Sequence, residues 1–191
     1  MYKPPRQERS NKCFVFFFTF FVICCAVLLI AALILRLRNP EVKLTSTTLN
    51  QITYNVTSPS RSFNATVITY FSIWNPNFGG IFSYENSDVR LEYAGVKVGY
   101  MKIPDARVKE RRTKHTSVTV NVKFLEIIGN ENGNFTSDVS SGTLNLIGYV
   151  KFSGIVQIQW LKIVHSRKTI ELVCNLGINL TSRAIRGFQC Q

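Results

Sequence analysis

The stretch FNATVITYFSIW, residues 63–74, decides the fold, because an apolar side chain recurs at nearly every second position. Phe63, Val67 and Ile73 fall on one side, and polar residues such as Asn64 fall on the other. This period of two is that of a β-strand with one buried face. Similar alternation or β-branched composition predicts further strands at Val42–Leu49, Asp88–Tyr93, Val96–Ile103, Ser117–Phe124, Leu144–Phe152, Val156–Val164 and Thr169–Thr181.

These strands share one segment, residues 39–191, which is long enough to bury a core of its own. Turn signals such as Asn-Pro, Gly-Gly and Asn-Gly-Asn separate the strands. Seven or eight half-buried strands in one domain predict an all-β fold, a β-sandwich of the immunoglobulin or fibronectin type III kind. Alternation fails over Leu125–Val139, where we expect one short helix.

An apolar run precedes this domain and extends from Cys13 to Leu35 without a charged, Asn or Gln side chain. At about 1.5 Å per helical residue it is longer than a hydrocarbon core of about 30 Å. A cleaved signal peptide has a shorter apolar core, although Ala26, Ala31 and Ala32 leave cleavage open. A core helix of a soluble domain is seldom apolar on every side. The run therefore predicts a transmembrane signal-anchor helix over residues 13–35.

Flanking charges and glycosylation sequons give this helix a direction. Basic residues favour a cytosolic tail at residues 1–12, since Lys3, Arg6, Arg9 and Lys12 precede the helix and only Arg36, Arg38 and Lys43 closely follow it. The Asn-x-Ser/Thr sequons all follow the helix, at Asn55, Asn64, Asn134 and Asn179. We expect Asn64 and Asn179 to face outward from strands and the other two to lie in loops. The sequons place residues 39–191 in the lumen or outside the cell.

Two cysteines, Cys174 and Cys190, lie in the predicted exterior domain. An oxidising compartment favours a disulfide between them. Cys174 falls on the inward face of its strand, so Cys190 would have to fold back over the edge of the sandwich. A reactive thiol or a metal pair is the weaker alternative, because no His or carboxylate cluster accompanies them. Cys13, at the membrane boundary, could instead be acylated.

A search for chemistry is negative, and we expect no enzyme activity, no cofactor and no metal site. His115 and His165 stand alone, and no nucleophile–base pair can be assembled from the sequence. Gly79-Gly80 precedes no predicted helix, which argues against a phosphate cradle. Nucleic acid binding is excluded by the exterior compartment, despite a net charge of +12.

One basic run stands out within the exterior domain. We expect it to be a solvated loop and the best candidate for contact with acidic partners, through Lys109, Arg111, Arg112 and Lys114. The mild basic charge of the domain also suits anionic lipid headgroups or acidic wall polymers.

A series of motifs in this chain resembles a plant family. The motifs are Asn75-Pro76-Asn77, Tyr84, Val89, Tyr93, Gly95, Val98-Gly99 and Ile103-Pro104, followed by Cys174 and Cys190. With the preceding apolar span, they look like the late embryogenesis abundant group-2 domain in its membrane-anchored, harpin-induced or non-race-specific disease resistance-like subgroup. The residues after Ile103-Pro104 depart from the family, which often has an aromatic residue and Gln where Asp105-Ala106-Arg107 stand here.

The resemblance implies a non-enzymatic plasma-membrane protein of pathogen response, hypersensitive cell death or stress, associated in some members with plasmodesmata. It also implies cytosolic signalling partners for the tail and cell-wall polymers for the exterior domain. The motif Asn75-Pro76-Asn77 is expected to be a structural turn, because Pro76 ends a strand and Asn77 tolerates a left-handed backbone. Two hypotheses stay open: an interaction or adhesion module, or a sandwich whose sheets part to bind lipid.

Overall fold

The structure is a computed structural model that describes residues 7–34, 36–55, 61–125, 135–158 and 165–191. The chain divides into two compact units, one that ends at Arg36 and one that spans Leu37–Gln191. The first unit contains a helix, α1 (Gln7–Ile34). Its segment Lys12–Ala32 is long and apolar enough to cross a membrane, and none of it is buried within the protein.

The second unit is built from antiparallel strands and one short helix. In chain order the elements are β1 (Glu41–Asn55), β2 (Ser62–Trp74), β3 (Gly80–Tyr84), β4 (Ser87–Tyr93), β5 (Val96–Ile103), β6 (Ala106–Val108), β7 (Thr113–Leu125), α2 (Phe135–Ser140), β8 (Thr143–Ile158), β9 (His165–Asn179) and β10 (Ala184–Cys190).

The strands form two sheets. The small sheet has the order β1-β2-β7, and the large sheet has the order β10-β9-β8-β3-β6 with β4 and β5 joined to it through β8. The long strand β8 therefore pairs with β9 along one side and with β4 and then β3 along the other. The branching lets one sheet of seven strands cover a sheet of three.

The core lies between the two sheets, as the alternating pattern of residues 63–74 requires. In β2 the residues Phe63, Val67, Phe71 and Ile73 are buried. Phe71 packs edge to face on Phe152 of the large sheet, with ring centroids 5.6 Å apart. The prediction of an all-β sandwich with one short helix is confirmed.

The number of strands differs from the prediction. The described residues contain ten strands, and three of them, β3, β6 and β10, were not predicted from the sequence. The predicted break between Phe152 and Val156 is absent, since β8 continues through Gly154. A Cβ on Gly154 would lie 2.6 Å from the Phe82 ring, so glycine serves close approach there and not a turn. Residues 159–164 of the last predicted strand lie outside the described residues.

Candidate functional site

The Asn75-Pro76-Asn77 motif forms a buried amide cluster at one end of the sandwich. The Asn75 side chain is fully buried, and its Nδ2 donates to the carbonyl oxygens of Gly80 (2.7 Å) and Val108 (3.1 Å). Its Oδ1 accepts from the Asn77 Nδ2 at 2.8 Å. One amide therefore joins the end of β2 to the start of β3 and the end of β6.

Asn77 extends the cluster to the first residues of the unit. Its Oδ1 accepts from the Arg38 backbone N–H at 2.6 Å, and its Nδ2 donates to the Arg38 carbonyl at 3.0 Å. The left-handed residue that we expected at Asn77 is instead Gly79, with φ of 69°. We call this end of the sandwich the Arg38 end. The two amides bond to backbone groups of Arg38, Gly80, Val108 and Lys109.

The basic run forms a tight turn, Lys109–Arg112, fixed by this amide cluster. The Arg112 carbonyl accepts from the Asn75 backbone N–H at 3.0 Å, and the Glu110 carboxylate accepts from the Gly79 N–H. All four side chains of the turn are exposed. The expected loop is shorter than predicted, because β7 begins at Thr113 and holds Lys114 as a half-buried strand residue.

The opposite end of the sandwich is closed by apolar packing. Phe135 of α2 is buried against Tyr93 and Phe124, with ring centroids 6.3 and 5.3 Å away. The Tyr93 hydroxyl donates to the Asp138 carboxylate at 2.7 Å, which holds α2 in place. The space that these rings enclose has no volume that a water molecule could occupy. We call this end the Phe135 end.

The cysteines are joined across two neighbouring strands. The Cys174 and Cys190 Sγ atoms are bonded, and their Cα atoms lie 4.0 Å apart. Val173 and Gln191 exchange both backbone hydrogen bonds, so the cysteines form a close, non-hydrogen-bonded pair. The expectation that Cys190 folds back over the edge is wrong, because β10 lies beside β9 in the same sheet. Because β10 was not predicted, the direct pairing of Cys190 with Cys174 on neighbouring strands was not predicted either.

The sequons occupy different environments. Asn64 is exposed in the middle of the small sheet, and Asn55 is exposed as the last residue of β1, not in a loop as expected. Asn179 is half-buried, and its side-chain oxygen accepts from the Ser182 N–H at 2.8 Å. Asn134 lies outside the described residues. Exposure therefore favours Asn55 and Asn64 as glycan carriers over Asn179.

No catalytic or metal-binding constellation forms within the described part of the chain. It holds no group of three His, Cys, Asp or Glu side chains that could bind a metal. His115 and His165 are exposed on strands of different sheets. The most perturbed group is Tyr84, whose pKa is raised above its ordinary value of 10.0 by burial, with Thr116 offsetting part of the rise. Its hydroxyl makes no hydrogen bond of ordinary geometry.

Comparisons with known proteins point to one relationship. No family model matches the chain. A late embryogenesis abundant protein of Arabidopsis thaliana is 29% identical over 164 residues, which cover 84% of this chain and 73% of that protein. A crystal structure of a protein from Archaeoglobus fulgidus aligns over 72% of this chain and 97% of its own, with 13% identity and a TM-score of 0.38, too low to inform the fold. The sequence similarity supports a late-embryogenesis-abundant-like protein.

Proposed function

We propose that this chain is a non-enzymatic, single-pass membrane protein of plant stress and defence, in which the β-sandwich acts as an interaction or adhesion module. The observation that carries the proposal is that the chain combines an apolar helical segment, Lys12–Ala32, none of which is buried, with a second compact unit that has a packed core. The similarity to a late embryogenesis abundant protein supports the link to stress. The harpin-induced subgroup and its role in the hypersensitive response belong to the proposal.

The distribution of polar groups favours a binding module over an enzyme. The buried amides Asn75 and Asn77 are both used for hydrogen bonds within the fold. The charged side chains of the turn Lys109–Arg112 are exposed on a fixed backbone. An enzyme needs a nucleophile or an acid–base pair in a cleft, whereas a module for recognition needs side chains presented on a rigid scaffold.

The proposed topology places residues 1–12 in the cytosol and the sandwich outside the cell at the plasma membrane. The exposed sequons at Asn55 and Asn64 support this side for the sandwich. In this arrangement the tail meets cytosolic signalling proteins, and the sandwich meets cell-wall polymers. Plasmodesmata are the proposed subdomain, and imaging of a fluorescent fusion beside a callose marker tests that placement.

The deciding experiment combines three treatments of tagged protein in plant cells. We expect the protein to resist extraction with alkaline carbonate, to shift in mass on glycosidase treatment, and to lose the sandwich to protease added outside intact cells. The Asn55→Gln/Asn64→Gln variant should show a smaller mass shift than the unchanged protein. A soluble protein after carbonate extraction, or a sandwich protected in intact cells, would contradict the proposal.

We do not extend the proposal to a lipid held inside the sandwich. The rings around Phe135 enclose no volume that a water molecule could fill, so an acyl chain would require the sheets to separate. Such a change exposes core side chains, for example Phe63 and Leu144, to water, which costs free energy in proportion to the apolar area exposed.

A further inference from the structure

The turn Lys109–Arg112 carries positive charge that the rest of the described chain leaves uncompensated. Lys109, Arg111 and Arg112 are exposed, and none of them forms an ion pair within the described residues. The Glu110 carboxylate accepts the Gly79 N–H but keeps its negative charge, so three cationic and one anionic side chain leave the turn with a net charge of +2. Three cationic side chains thus project from a backbone that the amide cluster holds still.

This turn lies next to the first residues of the unit. The Arg112 carbonyl is bonded to Asn75, Asn75 is bonded to Asn77, and Asn77 is bonded twice to Arg38. Two asparagines therefore separate the turn from Arg38, which is itself exposed and cationic. The hydrogen-bonded chain therefore places the turn and Arg38 at the same end of the sandwich.

The length of the covalent chain brings a membrane to this place. Helix α1 ends at Ile34, four residues before Arg38. Four residues span at most about 14 Å even when fully extended. When the apolar segment of α1 crosses a bilayer, the adjoining headgroup layer is therefore within reach of Arg38. This maximum distance between the end of α1 and Arg38 depends only on the number of residues that join them. It is therefore the same whichever side of the membrane the sandwich occupies.

We propose that the turn Lys109–Arg112 is a docking surface for lipid headgroup phosphates in the leaflet next to the C-terminal end of α1. Guanidinium groups bind phosphate oxygens through paired, charge-assisted hydrogen bonds, and lysine adds a point charge. Docking would hold the sandwich with its Arg38 end towards the membrane. The inference rests on the membrane anchoring in the proposed function, but not on its sidedness or its role in defence.

A lipid surface is favoured over an acidic protein because the tether keeps headgroups permanently close. A ligand linked by a short segment is present at a high effective concentration, so weak individual contacts suffice. The rigid backbone also reduces the entropy lost on docking. A free acidic partner would share the benefit of the rigid backbone but would lack the high effective concentration that the tether provides.

The test uses two versions of the full-length protein. One carries a fluorescent label at the Arg38 end of the sandwich, and the other carries it at the Phe135 end. Cys13, Cys24 and Cys25 are replaced by Ala, and a new cysteine is introduced as Thr113→Cys beside the turn or Ser182→Cys in the β9–β10 turn. Both sites are exposed. The proteins are placed in nanodiscs of phosphatidylserine and phosphatidylcholine that contain a headgroup-linked quencher. We expect strong quenching at position 113 and little at 182.

Charge variants separate docking from mere tethering. The test variant is Lys109→Gln/Arg111→Asn/Arg112→Gln, and the matched control is Lys97→Gln/Arg183→Asn/Arg186→Gln. Both remove three exposed charges, and both place Asn at an arginine with φ of 51°. At low salt the docking equilibrium constant of the test variant should be lower by roughly fivefold for each charge removed. High salt should also lower the docking constant of the protein with the unmodified turn, because it screens the charges. The control should leave quenching at position 113 unchanged.

Each other outcome overturns the proposal. Unchanged quenching in the test variant would mean that the tether alone positions the turn. Protection of the turn from hydrogen exchange by inorganic phosphate in neutral detergent, equal to that in nanodiscs, would identify a site for free anions. Binding of polyglutamate without any response to lipid would identify a surface for acidic proteins. A protein that does not enter nanodiscs would refute the membrane anchoring in the proposed function. A protein that enters nanodiscs but shows no docking would refute only the docking surface.

Discussion

The two ends of the sandwich are closed by different kinds of interaction. At the Arg38 end, the buried amides of Asn75 and Asn77 bond to backbone groups from four places in the chain. At the Phe135 end, aromatic rings from α2, β4 and β7 pack together. Amide hydrogen bonds depend on direction, whereas apolar packing depends on volume and shape.

The two ends therefore do different things: the Arg38 end positions the surface turn Lys109–Arg112, and the Phe135 end closes the core. Asn75 fixes where the turn Lys109–Arg112 stands. Its side-chain Nδ2 donates to the Val108 and Lys109 carbonyls at the start of the turn, and its backbone N–H donates to the Arg112 carbonyl at the end. The aromatic cluster excludes water from the core. We therefore expect damage at the Phe135 end to lower global stability most, and damage at the Arg38 end to disturb presentation of the turn as well.

The largest effect should follow Phe135→Ala, which empties the Phe135 end. Removal of a buried aromatic ring costs about 3–5 kcal/mol of unfolding free energy. Chemical denaturation of the full chain in detergent measures the loss. Phe78→Ala is the matched control, because Phe78 is 59% exposed and its loss should change stability by less than about 0.5 kcal/mol. Equal losses of unfolding free energy in Phe135→Ala and Phe78→Ala would contradict the stabilising role of the Phe135 end.

The next effect should follow Asn75→Ala, which leaves the carbonyls of Gly80 and Val108 without their donor. We expect a loss of about 3 kcal/mol, since unsatisfied buried groups cost about 1–3 kcal/mol each. Asn75→Asp should be as harmful, because a carboxylate cannot donate. Faster hydrogen exchange across Lys109–Arg112 should accompany both. Asn145→Ala, at an exposed asparagine of β8, is the control. Native stability in the Asp variant would refute the role of the donor.

A smaller effect should follow the paired change Cys174→Ala/Cys190→Ala. The bridge closes a segment with a sequence separation of 16, for which the loop-entropy account gives about 3 kcal/mol. We expect about 2–3 kcal/mol, because the neighbouring strands β9 and β10 keep their hydrogen bonds. The loss should leave hydrogen exchange at both ends of the sandwich unaltered. An exchange change confined to the Arg38 end would show that the bridge and the amide cluster are coupled.

The smallest effect concerns Tyr84 and appears only at high pH. Burial raises the pKa of Tyr84 above 10.0, so the unfolded chain loses this proton first as the pH rises. The unfolding free energy contributed by this group is therefore fully present below about pH 10 and declines above it. Tyr84→Phe should remove that part of the decline and cost little at pH 7, because the hydroxyl has no regular hydrogen bond. Identical pH profiles for the two proteins would refute this.

Sequence alone is informative where burial alternates over many residues. The strand of residues 63–74 is visible because inward and outward side chains differ throughout its length. By contrast, β6 has three residues, of which only Val108 is buried, and β10 is a half-exposed edge strand. The interruption predicted between Phe152 and Val156 is absent, because Gly154 permits close approach of β3 within a continuous strand β8.

The candidate site shows the same limit. The turn at Asn75-Pro76-Asn77 and the exposed basic run are both visible in the sequence. Their connection is not, since Asn75 reaches Val108 across 33 positions and Asn77 reaches Arg38 across 39. Contacts at such separations depend on how the sheets are arranged, and no local pattern encodes them.

The bonds between Arg38 and Asn77 have a mechanical consequence. Any tension between the membrane and a ligand held by the sandwich must pass along the backbone from Leu37 to Pro40, since no other covalent path exists in the chain. The two hydrogen bonds at Asn77 lie across that path, ahead of the first residue of β1. Under such tension these two hydrogen bonds are loaded before the β1–β2 ladder, whereas the bonds that Asn75 makes to the turn Lys109–Arg112 lie off the path.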